Sequence, residues 1–253
     1  MKIYVYANWK MNFSQEEAYQ FGSTLTEVIS HLSKQIEVIL FPGNALLTTV
    51  SKSIRNSEDL GLGAQNVHWD CDGSFTGETS VRMLPDRCTH VLVGHSERRE
   101  HFGETKAIIN RKIATIMECG LKAVLCVGEA ESSPFDESVE GLIGGQLDSA
   151  LGNLKSGFKK NLMIAYEPVW AIGSHLPATP EIVDSRAKFI KEFVNQLDYV
   201  ENGESVPVIY GGSVTLENVA SYLDMESVDG VLLGGASLNI ESLKQVIRVA
   251  ENY

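Results

Sequence analysis

The chain has 253 residues, of which 43% are hydrophobic and 21% are charged, and its formal net charge is −12. This composition excludes intrinsic disorder, and the 21 Lys and Arg residues form no clustered basic surface that would neutralise nucleic-acid phosphates. We therefore expect no nucleic-acid partner, and any anion site must rely on backbone N–H groups and a specific cation.

The cysteines and the start of the chain indicate the compartment. Cys71, Cys88, Cys119 and Cys126 are scattered, with no Cys-x-x-Cys pair and no nearby histidine at metal-ligand spacing. The pattern predicts neither a disulfide framework nor a metal site, and it favours a reducing, cytoplasmic location. No basic leader follows Met1 and no apolar run approaches membrane-spanning length, so neither export nor membrane insertion is expected.

Eight short apolar runs, bounded by Gly, Pro or Asn, alternate with helical patterns along the chain. Near-continuous apolar character is typical of parallel strands that helices cover on their outer face, so each run predicts a buried strand. The predicted strands are residues 3–7, 36–41, 60–64, 90–94, 121–127, 162–166, 206–210 and 229–233.

The intervening segments carry apolar residues at helical spacing. Ser14 and Glu17 have the spacing of a capping box before the first stripe, and Thr179 and Pro180 supply an N-cap and a first-turn proline for a later one. The stripes are Ala18, Phe21, Leu25, Val28 and Leu32; Ile109, Ile113, Ile116 and Met117; Val183, Ala187, Ile190, Val194 and Leu197; and Leu243, Val246, Ile247 and Ala250.

Eight strand–helix units without a linker or a shift in composition predict an α/β protein, a (β/α)8 barrel that forms a single domain over residues 1–253. A doubly wound open sheet remains an alternative, because spacing alone cannot close a barrel. No Gly-x-Gly-x-x-Gly follows the first strand, which argues against a dinucleotide-binding sheet.

Polar residues follow the first and fourth predicted strands, where such a barrel places its active site. Asn8 and Lys10 are two residues apart, so extended backbone would direct both side chains the same way and aim a cation inward. His95 stands at the expected start of a short helix, whose N-terminus would keep the imidazole neutral and able to donate a hydrogen bond. Taken alone, either the lysine or the histidine also fits a purely structural role.

The sixth strand is followed by Glu167 and then by an unusually apolar loop, Pro168–Ile172. Burial strengthens a carboxylate as a base, so Glu167 is a candidate general base, and an ion-pair partner is the alternative. Closure over a ligand would explain the apolar loop, so we expect a lid.

The last two strands each end in a pair of glycines, Gly211-Gly212 before Ser213 and Gly234-Gly235. Glycines let backbone N–H groups approach an anion, and the loops after the seventh and eighth strands of such barrels often bind phosphate. The two pairs predict a phosphate site, although a tight turn would account for either pair alone.

Together these motifs resemble the triosephosphate isomerase family. The principal matches are Asn8–Asn12, Gly94–Arg99, Ala165–Gly173 and Tyr210–Val214, and further matches in family order are Gly63–Val67, Gly77-Glu78, Leu125–Glu129 and Gly230–Leu238. The resemblance spans essentially the whole chain. It implies a TIM barrel that interconverts dihydroxyacetone phosphate and glyceraldehyde 3-phosphate, in glycolysis and gluconeogenesis, with no metal or organic cofactor.

The resemblance also implies a role for each site residue. Glu167 would abstract a proton to give an enediolate and neutral His95 would hydrogen-bond the two substrate oxygens, a division that is the family's own and for which this enzyme is the standard example. Lys10 and Asn8 would stabilise the developing charge, and Glu97 would orient the network. The backbone N–H groups that would hold the phosphate belong to Gly173, Ser213, Gly234 and Gly235.

Members of the family are homodimers, and the loop Gly73–Gly77 resembles the one that inserts beside the neighbouring active site, with Thr76 reaching across.

The chain departs from the family pattern at the end of the expected lid. Where the family usually has Gly-Thr-Gly-Lys, a small residue and Ala, this chain has Gly-Ser-His-Leu-Pro-Ala at positions 173–178. Pro177 fixes φ and pushes Leu176 toward extended backbone, and His175 adopts positive φ less readily than glycine, so we expect altered closure.

Two other functions stay open on the residues alone. Another phosphate-binding barrel enzyme, acting on a larger phosphoribosyl substrate, would share the glycine pairs but would not need Glu167 beneath an apolar lid. A non-catalytic barrel protein would be expected to lack at least one of Lys10, His95 and Glu167, and all three are present.

Overall fold

Eight parallel strands close into a barrel in the computed structural model, which describes residues 2–29, 32–130, 137–154, 159–173, 177–197 and 205–253. Each strand pairs with the next along the chain and the last pairs with the first, which excludes the doubly wound open sheet. The strands are β1 Ile3–Asn8, β2 Ile36–Phe41, β3 Leu60–Ala64, β4 Cys88–Val93, β5 Lys122–Val127, β6 Leu162–Tyr166, β7 Val208–Tyr210 and β8 Gly230–Leu233. All eight predicted strands are confirmed, with bounds that differ by at most two residues.

Helices follow the strands and cover the outside of the barrel. They are α1 Gln15–Val28, α2 Leu47–Ser53, α3 Ser96–His101, α4 Lys106–Glu118, α5 Glu137–Leu151, α6 Pro180–Gln196, α7 Val219–Leu223 and α8 Ile240–Ala250. Single 3₁₀ turns occur at Asn44–Leu46, Val81–Met83, Lys159–Asn161, Val169–Ala171 and Gly235–Leu238. In the described part of the chain, no helix has the length and apolar character needed to cross a membrane.

The predicted apolar stripes lie on α1, α4, α6 and α8, although Leu32 and Leu197 fall beyond the ends of their helices. The capping box of α1 is confirmed: the Ser14 hydroxyl accepts from the Glu17 N–H, and the Glu17 carboxylate accepts from the Ser14 N–H. Thr179 occupies the N-cap of α6, but its side chain makes no capping hydrogen bond within the described structure.

Strand residues alternate between two apolar layers, one inside the barrel and one between the barrel and its helices. Gly61 and Gly63 of β3 make room for large side chains in the inner layer. A Cβ atom at Gly61 would lie 2.3 Å from Ile39 Cδ1, and one at Gly63 would lie 2.2 Å from Phe41 Cε1. The buried inner residues are Tyr6, Ile39, Phe41, Leu92, Val124, Cys126, Met163, Ala165, Ile209 and Leu232.

A polar cluster closes the amino-terminal end of the barrel. The Glu37 carboxylate accepts a hydrogen bond from the Tyr6 hydroxyl at 2.8 Å, and Glu37 Oε1 lies 3.1 Å from His90 Nε2. Lys2 and Lys122 also pair with this carboxylate. Burial acts to raise the pKa of Glu37, but the contacts with His90 and Lys2 outweigh it and hold that pKa well below its ordinary value. The cluster therefore keeps a charged carboxylate at this end.

Candidate active site

A cavity of about 660 Å³ opens at the carboxyl ends of the strands. This volume is in the range of small-molecule sites. Most of the predicted site residues line it, and these are Asn8, Lys10, His95, Glu167, Gly173, Ser213, Gly234 and Gly235. Glu97 instead lines a hollow of about 250 Å³ beside the cavity, which shares Asn8, Lys10 and His95 with it. Thr76 lies in an exposed loop and is not among the described residues that line either space.

The end of β6 holds Glu167 with its carboxylate inside the protein. Its backbone N–H donates to the Val127 carbonyl at 2.7 Å, and the residue is only 2% exposed. Oε2 accepts a hydrogen bond from the Ser96 N–H at 3.3 Å. Oε1 lies 3.2 Å from His95 Nε2 but accepts no well-aligned hydrogen bond from the described residues. Glu167 thus has one anchored oxygen and one oxygen that is free to accept.

His95 is the N-cap of α3, as the sequence predicts for the start of a short helix. Gly94 precedes it with a φ of 71°, a left-handed conformation that favours glycine. His95 Nδ1 accepts a hydrogen bond from the Glu97 N–H at 3.3 Å. A nitrogen that accepts carries no proton, so in the neutral ring the proton is on Nε2, the atom next to Glu167.

The backbone conformation that directs Lys10 into the cavity differs from the predicted one. β1 ends at Asn8, and Lys10 has a φ of 52° rather than extended backbone. Such a conformation costs about 1–3 kcal/mol for a residue with a side chain and persists only where neighbours enforce it. Asn8 Oδ1 accepts from the Lys10 N–H at 3.0 Å, and Gln65 Nε2 donates to the Lys10 carbonyl at 2.8 Å. These two side chains hold the backbone of the lysine in place.

The ammonium group of Lys10 forms an ion pair with Glu97, with 2.5 Å between Nζ and Oε1. Burial of Glu97 acts to raise its pKa, but the hydrogen bond from Lys10 and the positive charges nearby together outweigh burial, so the pKa is lowered. Glu97 Oε2 also lies 3.7 Å from His95 Nδ1. Glu97 therefore stays ionised and contacts both the cation and the imidazole.

One wall of the cavity offers backbone donors. The N–H groups of Gly173, Ser213, Gly234 and Gly235 donate to no acceptor among the described residues. Lys10 approaches this wall, because a Cβ atom at Gly234 would lie 3.6 Å from Lys10 Cε. Free amides beside a lysine are a suitable site for an anion despite the overall negative charge of the protein.

Comparison with known proteins assigns the family. The triosephosphate isomerase family model matches residues 3–250. The chain belongs to the triosephosphate isomerase family. It is 35% identical over 251 residues to the triosephosphate isomerase of Geotalea uraniireducens, with 99% of each chain covered. It is 37% identical over 248 residues to that of Aquifex aeolicus, covering 98% of this chain and 99% of the relative. The triosephosphate isomerase of Carboxydothermus hydrogenoformans is also 37% identical, with 98% of each chain covered.

The closed barrel described above is the TIM-barrel fold of this family, and membership of the family identifies the chain as an isomerase. In the described residues, no three side chains of His, Cys, Asp or Glu come together in a group that could hold a metal ion.

The Cys126 thiol lies inside the barrel. Its burial raises its pKa well above the ordinary value, and the charge of Glu167 raises it further. Cys126 therefore stays a thiol beside the carboxylate and is not a nucleophile.

Several residues that support the cavity were given no role in the sequence analysis, although they lie within the matching motifs. A Cβ atom at Gly128 would lie 1.9 Å from the Glu167 carbonyl oxygen, so glycine is required for β5 and β6 to end side by side. Arg99 donates to the Gly94 carbonyl at 2.6 Å and to the Cys126 carbonyl at 2.8 Å. This guanidinium ties the backbone before His95 to β5. Within the sequence, the one signal for either residue is its place in a matching motif.

Glu129 anchors the start of the apolar loop that follows β6. Its Oε1 accepts hydrogen bonds from the Tyr166 hydroxyl and from Trp170 Nε1, both at 3.0 Å. Its carbonyl accepts from the Val169 N–H at 2.8 Å. Of the residues at which the chain departs from the family pattern, Pro177 is exposed, whereas His175 and Leu176 lie outside the described residues, so an altered lid closure stays a prediction.

Proposed function

We propose that this chain interconverts dihydroxyacetone phosphate and D-glyceraldehyde 3-phosphate by proton transfer through an enediolate, in glycolysis and gluconeogenesis. The observation that supports this most directly is the pairing of Glu167 Oε1 with His95 Nε2 at 3.2 Å, in a cavity with Lys10 and four free backbone amides. A base and an imidazole beside one anion site match a reaction in which a proton moves between adjacent carbons of a phosphorylated sugar.

Glu167 acts as the base for both directions of the reaction. Its free Oε1 takes the proton from the carbon next to the carbonyl and returns it to the neighbouring carbon. Oε2 accepts a hydrogen bond from the Ser96 N–H, so Oε1 is the oxygen available to the substrate.

His95 and Lys10 stabilise the charge that appears on the two substrate oxygens. The Nε2 proton of His95 is donated to these oxygens, and the ring transfers a proton between them. Lys10 supplies a positive charge on the same side, assisted by the amide of Asn8. Glu97 orients His95 and Lys10, because its backbone N–H donates a hydrogen bond to His95 Nδ1 and its carboxylate accepts one from the Lys10 ammonium group.

The phosphate of the substrate binds at the wall of free amides. The N–H groups of Gly173, Ser213, Gly234 and Gly235 point to no internal acceptor among the described residues, so a bound anion replaces water and not protein contacts. Fixing the phosphate places the reacting carbons within reach of the base. This accounts for anion binding by a protein of net charge −12.

The other candidate functions are less well supported. A phosphoribosyl enzyme would share the glycine pairs, but it would have no use for a buried carboxylate that faces an imidazole. A non-catalytic barrel would have no reason to retain Lys10 in a left-handed backbone conformation. Both arguments favour the isomerase.

The direct experiment is a coupled assay that supplies glyceraldehyde 3-phosphate and measures the dihydroxyacetone phosphate that forms. We expect the purified protein to interconvert the two without added metal or cofactor, because the proposed chemistry uses only side chains and backbone amides. Prior dialysis against a chelator serves as the control and should leave the rate unchanged. A folded protein that converts neither compound would contradict the proposal.

We further propose that the protein is a homodimer in which Thr76 of each subunit completes the partner's site. Thr76 is exposed and lies away from the cavity of its own chain. Beside the cavity, the hollow of about 250 Å³ is lined by Met11 and Phe102, whose exposed fractions are 98% and 68%. Large apolar side chains around a hollow are typical of a protein interface, and a second copy of the loop Gly73–Gly77 would cover them.

Analytical ultracentrifugation at micromolar concentration, with the activity of the same sample measured in parallel, tests the dimer. We expect the mass of two chains, because exposed Met11 and Phe102 favour association. A monomer with full activity would refute completion of the site by a partner.

Two further proposals concern the whole chain. We propose that residues 1–253 fold as one domain, since every strand belongs to the same closed sheet. We also propose a cytoplasmic location, which the four free thiols support.

A further inference from the structure

We propose that Cys71 and Cys119 form a reversible disulfide bond, an oxidation site that lies outside the active site. Their Sγ atoms are 3.9 Å apart, although the residues are 48 positions apart in the chain. Cys71 lies in the segment after β3, and Cys119 directly follows α4. Small side-chain rotations would bring two such sulfur atoms to a bonding distance of about 2 Å.

Contacts between the two segments keep this thiol pair together. The Thr115 hydroxyl donates to the Trp69 carbonyl at 2.5 Å. Arg111 stacks on the Trp69 ring, with Cζ 4.6 Å from the centroid, and its Nη2 lies 3.5 Å from the Asp70 carboxylate. Cys119 is itself fixed to the end of α4 by its N–H, which donates to the Thr115 carbonyl at 3.1 Å. The backbones that carry the two sulfur atoms are thus held against each other.

An oxidant can reach this pair and not the other cysteines. Cys71 is half-buried and Cys119 is exposed, whereas Cys88 and Cys126 are buried. Burial, followed by the hydrogen bond with Cys71, raises the pKa of the Cys119 thiol. Cys119 is therefore a thiol at neutral pH under reducing conditions, and the bond requires an oxidant from solution.

A low-molecular-weight disulfide such as glutathione disulfide supplies the oxidising equivalents. One cysteine thiolate attacks a sulfur of the oxidant, which gives a mixed disulfide and releases one glutathione thiolate. The other cysteine thiolate then attacks the protein sulfur of that mixed disulfide and releases the second glutathione. The protein loses two protons and two electrons, and glutathione disulfide is reduced to two thiols.

The bond ties the segment that leads into the loop Gly73–Gly77 to the end of α4. It also closes a loop of 48 positions in the unfolded chain, which restricts the unfolded state and stabilises the folded protein. Neither consequence depends on the proposed activity or on the proposed dimer.

The test is to incubate the folded protein with excess glutathione disulfide at neutral pH, block remaining thiols with an alkylating reagent, and measure intact mass, peptide map and Tm. We expect a loss of two hydrogens, one cross-linked peptide pair that contains Cys71 and Cys119, and a Tm several degrees above that of the reduced protein. Dithiothreitol should reverse all three. The matched variants Cys71→Ser and Cys119→Ser should show no cross-link and no oxidant-dependent rise in Tm.

Any of three results would overturn the proposal: no cross-linked peptide, a cross-link through Cys88 or Cys126, or an oxidised protein whose Tm is unchanged. The comparison of oxidised and reduced wild-type protein decides the matter even if a serine variant does not fold.

Discussion

Replacing Glu167 by Gln lowers kcat by about 10³-fold, because the side chain keeps its shape and loses its ability to accept a proton. The amide oxygen can still accept from the Ser96 N–H, so the fold around it should persist. The side chain of Glu167 is closely packed, because a Cβ atom at Gly211 would lie 2.9 Å from Glu167 Cγ. Glutamine has the same size as glutamate and therefore fits this space. The phosphate wall is untouched, so KM should change little. Steady-state kinetics in the coupled assay give both constants.

The control for this experiment is Glu37→Gln, which removes the same charge from a half-buried carboxylate at the opposite end of the barrel. Its contacts with Tyr6, His90 and Lys2 stabilise the fold, so we expect a lower Tm and a nearly unchanged kcat. If Glu167→Gln retained kcat within tenfold of the wild type, Glu167 would not be the base.

Replacing Lys10 by Met should lower kcat/KM by about 10²-fold, the size of effect seen when one charge-stabilising group is removed from an active site. Among the described residues that line the cavity, Lys10 is the one cation. Methionine keeps most of the length of the side chain, but it leaves an anionic substrate in a site that includes Glu217 and Glu241 on a protein of net charge −12. The variant should bind the substrate phosphate more weakly and stabilise the developing charge less, so we expect KM to rise and kcat to fall.

Lys122→Met provides the matched control, because it removes one positive charge at the amino-terminal end of the barrel. The overall charge of the two variants is identical, so any difference in kcat/KM reports the local position of the ammonium group. Equal rates for Lys10→Met and Lys122→Met would show that Lys10 has no special role.

The strands could be predicted closely because a buried parallel strand is a short apolar run with glycine or proline at its ends. What the sequence could not provide is the assignment of residues to the two apolar layers. Both faces of each strand are buried, so runs such as Lys122–Val127 and Leu162–Tyr166 carry no alternation of polar and apolar residues. Closure of the sheet was likewise beyond spacing arguments, since it depends on the pairing of β1 with β8.

The clustering of Asn8, Lys10, His95 and Glu167 around one cavity could be predicted, because each follows a strand, but their local geometry could not. The inward direction of Lys10 was expected from extended backbone and instead depends on a left-handed conformation that Asn8 and Gln65 hold. The contact between Cys71 and Cys119 joins segments whose separation in sequence hides their proximity. Tertiary packing decides both features.

The filled interior of the barrel has a consequence for isotope exchange. Its apolar residues are at most 3% exposed, and Tyr6, Glu37 and His90 close the end remote from the substrate. In the part of the chain that the structure describes, bulk water therefore has access to Glu167 from the loop side. A tritium or deuterium label that the base takes from the substrate is diluted by ordinary solvent hydrogen only as far as the loops admit water. With labelled substrate in unlabelled water, the fraction of label that the product retains therefore measures how fast the base exchanges with water relative to one turnover.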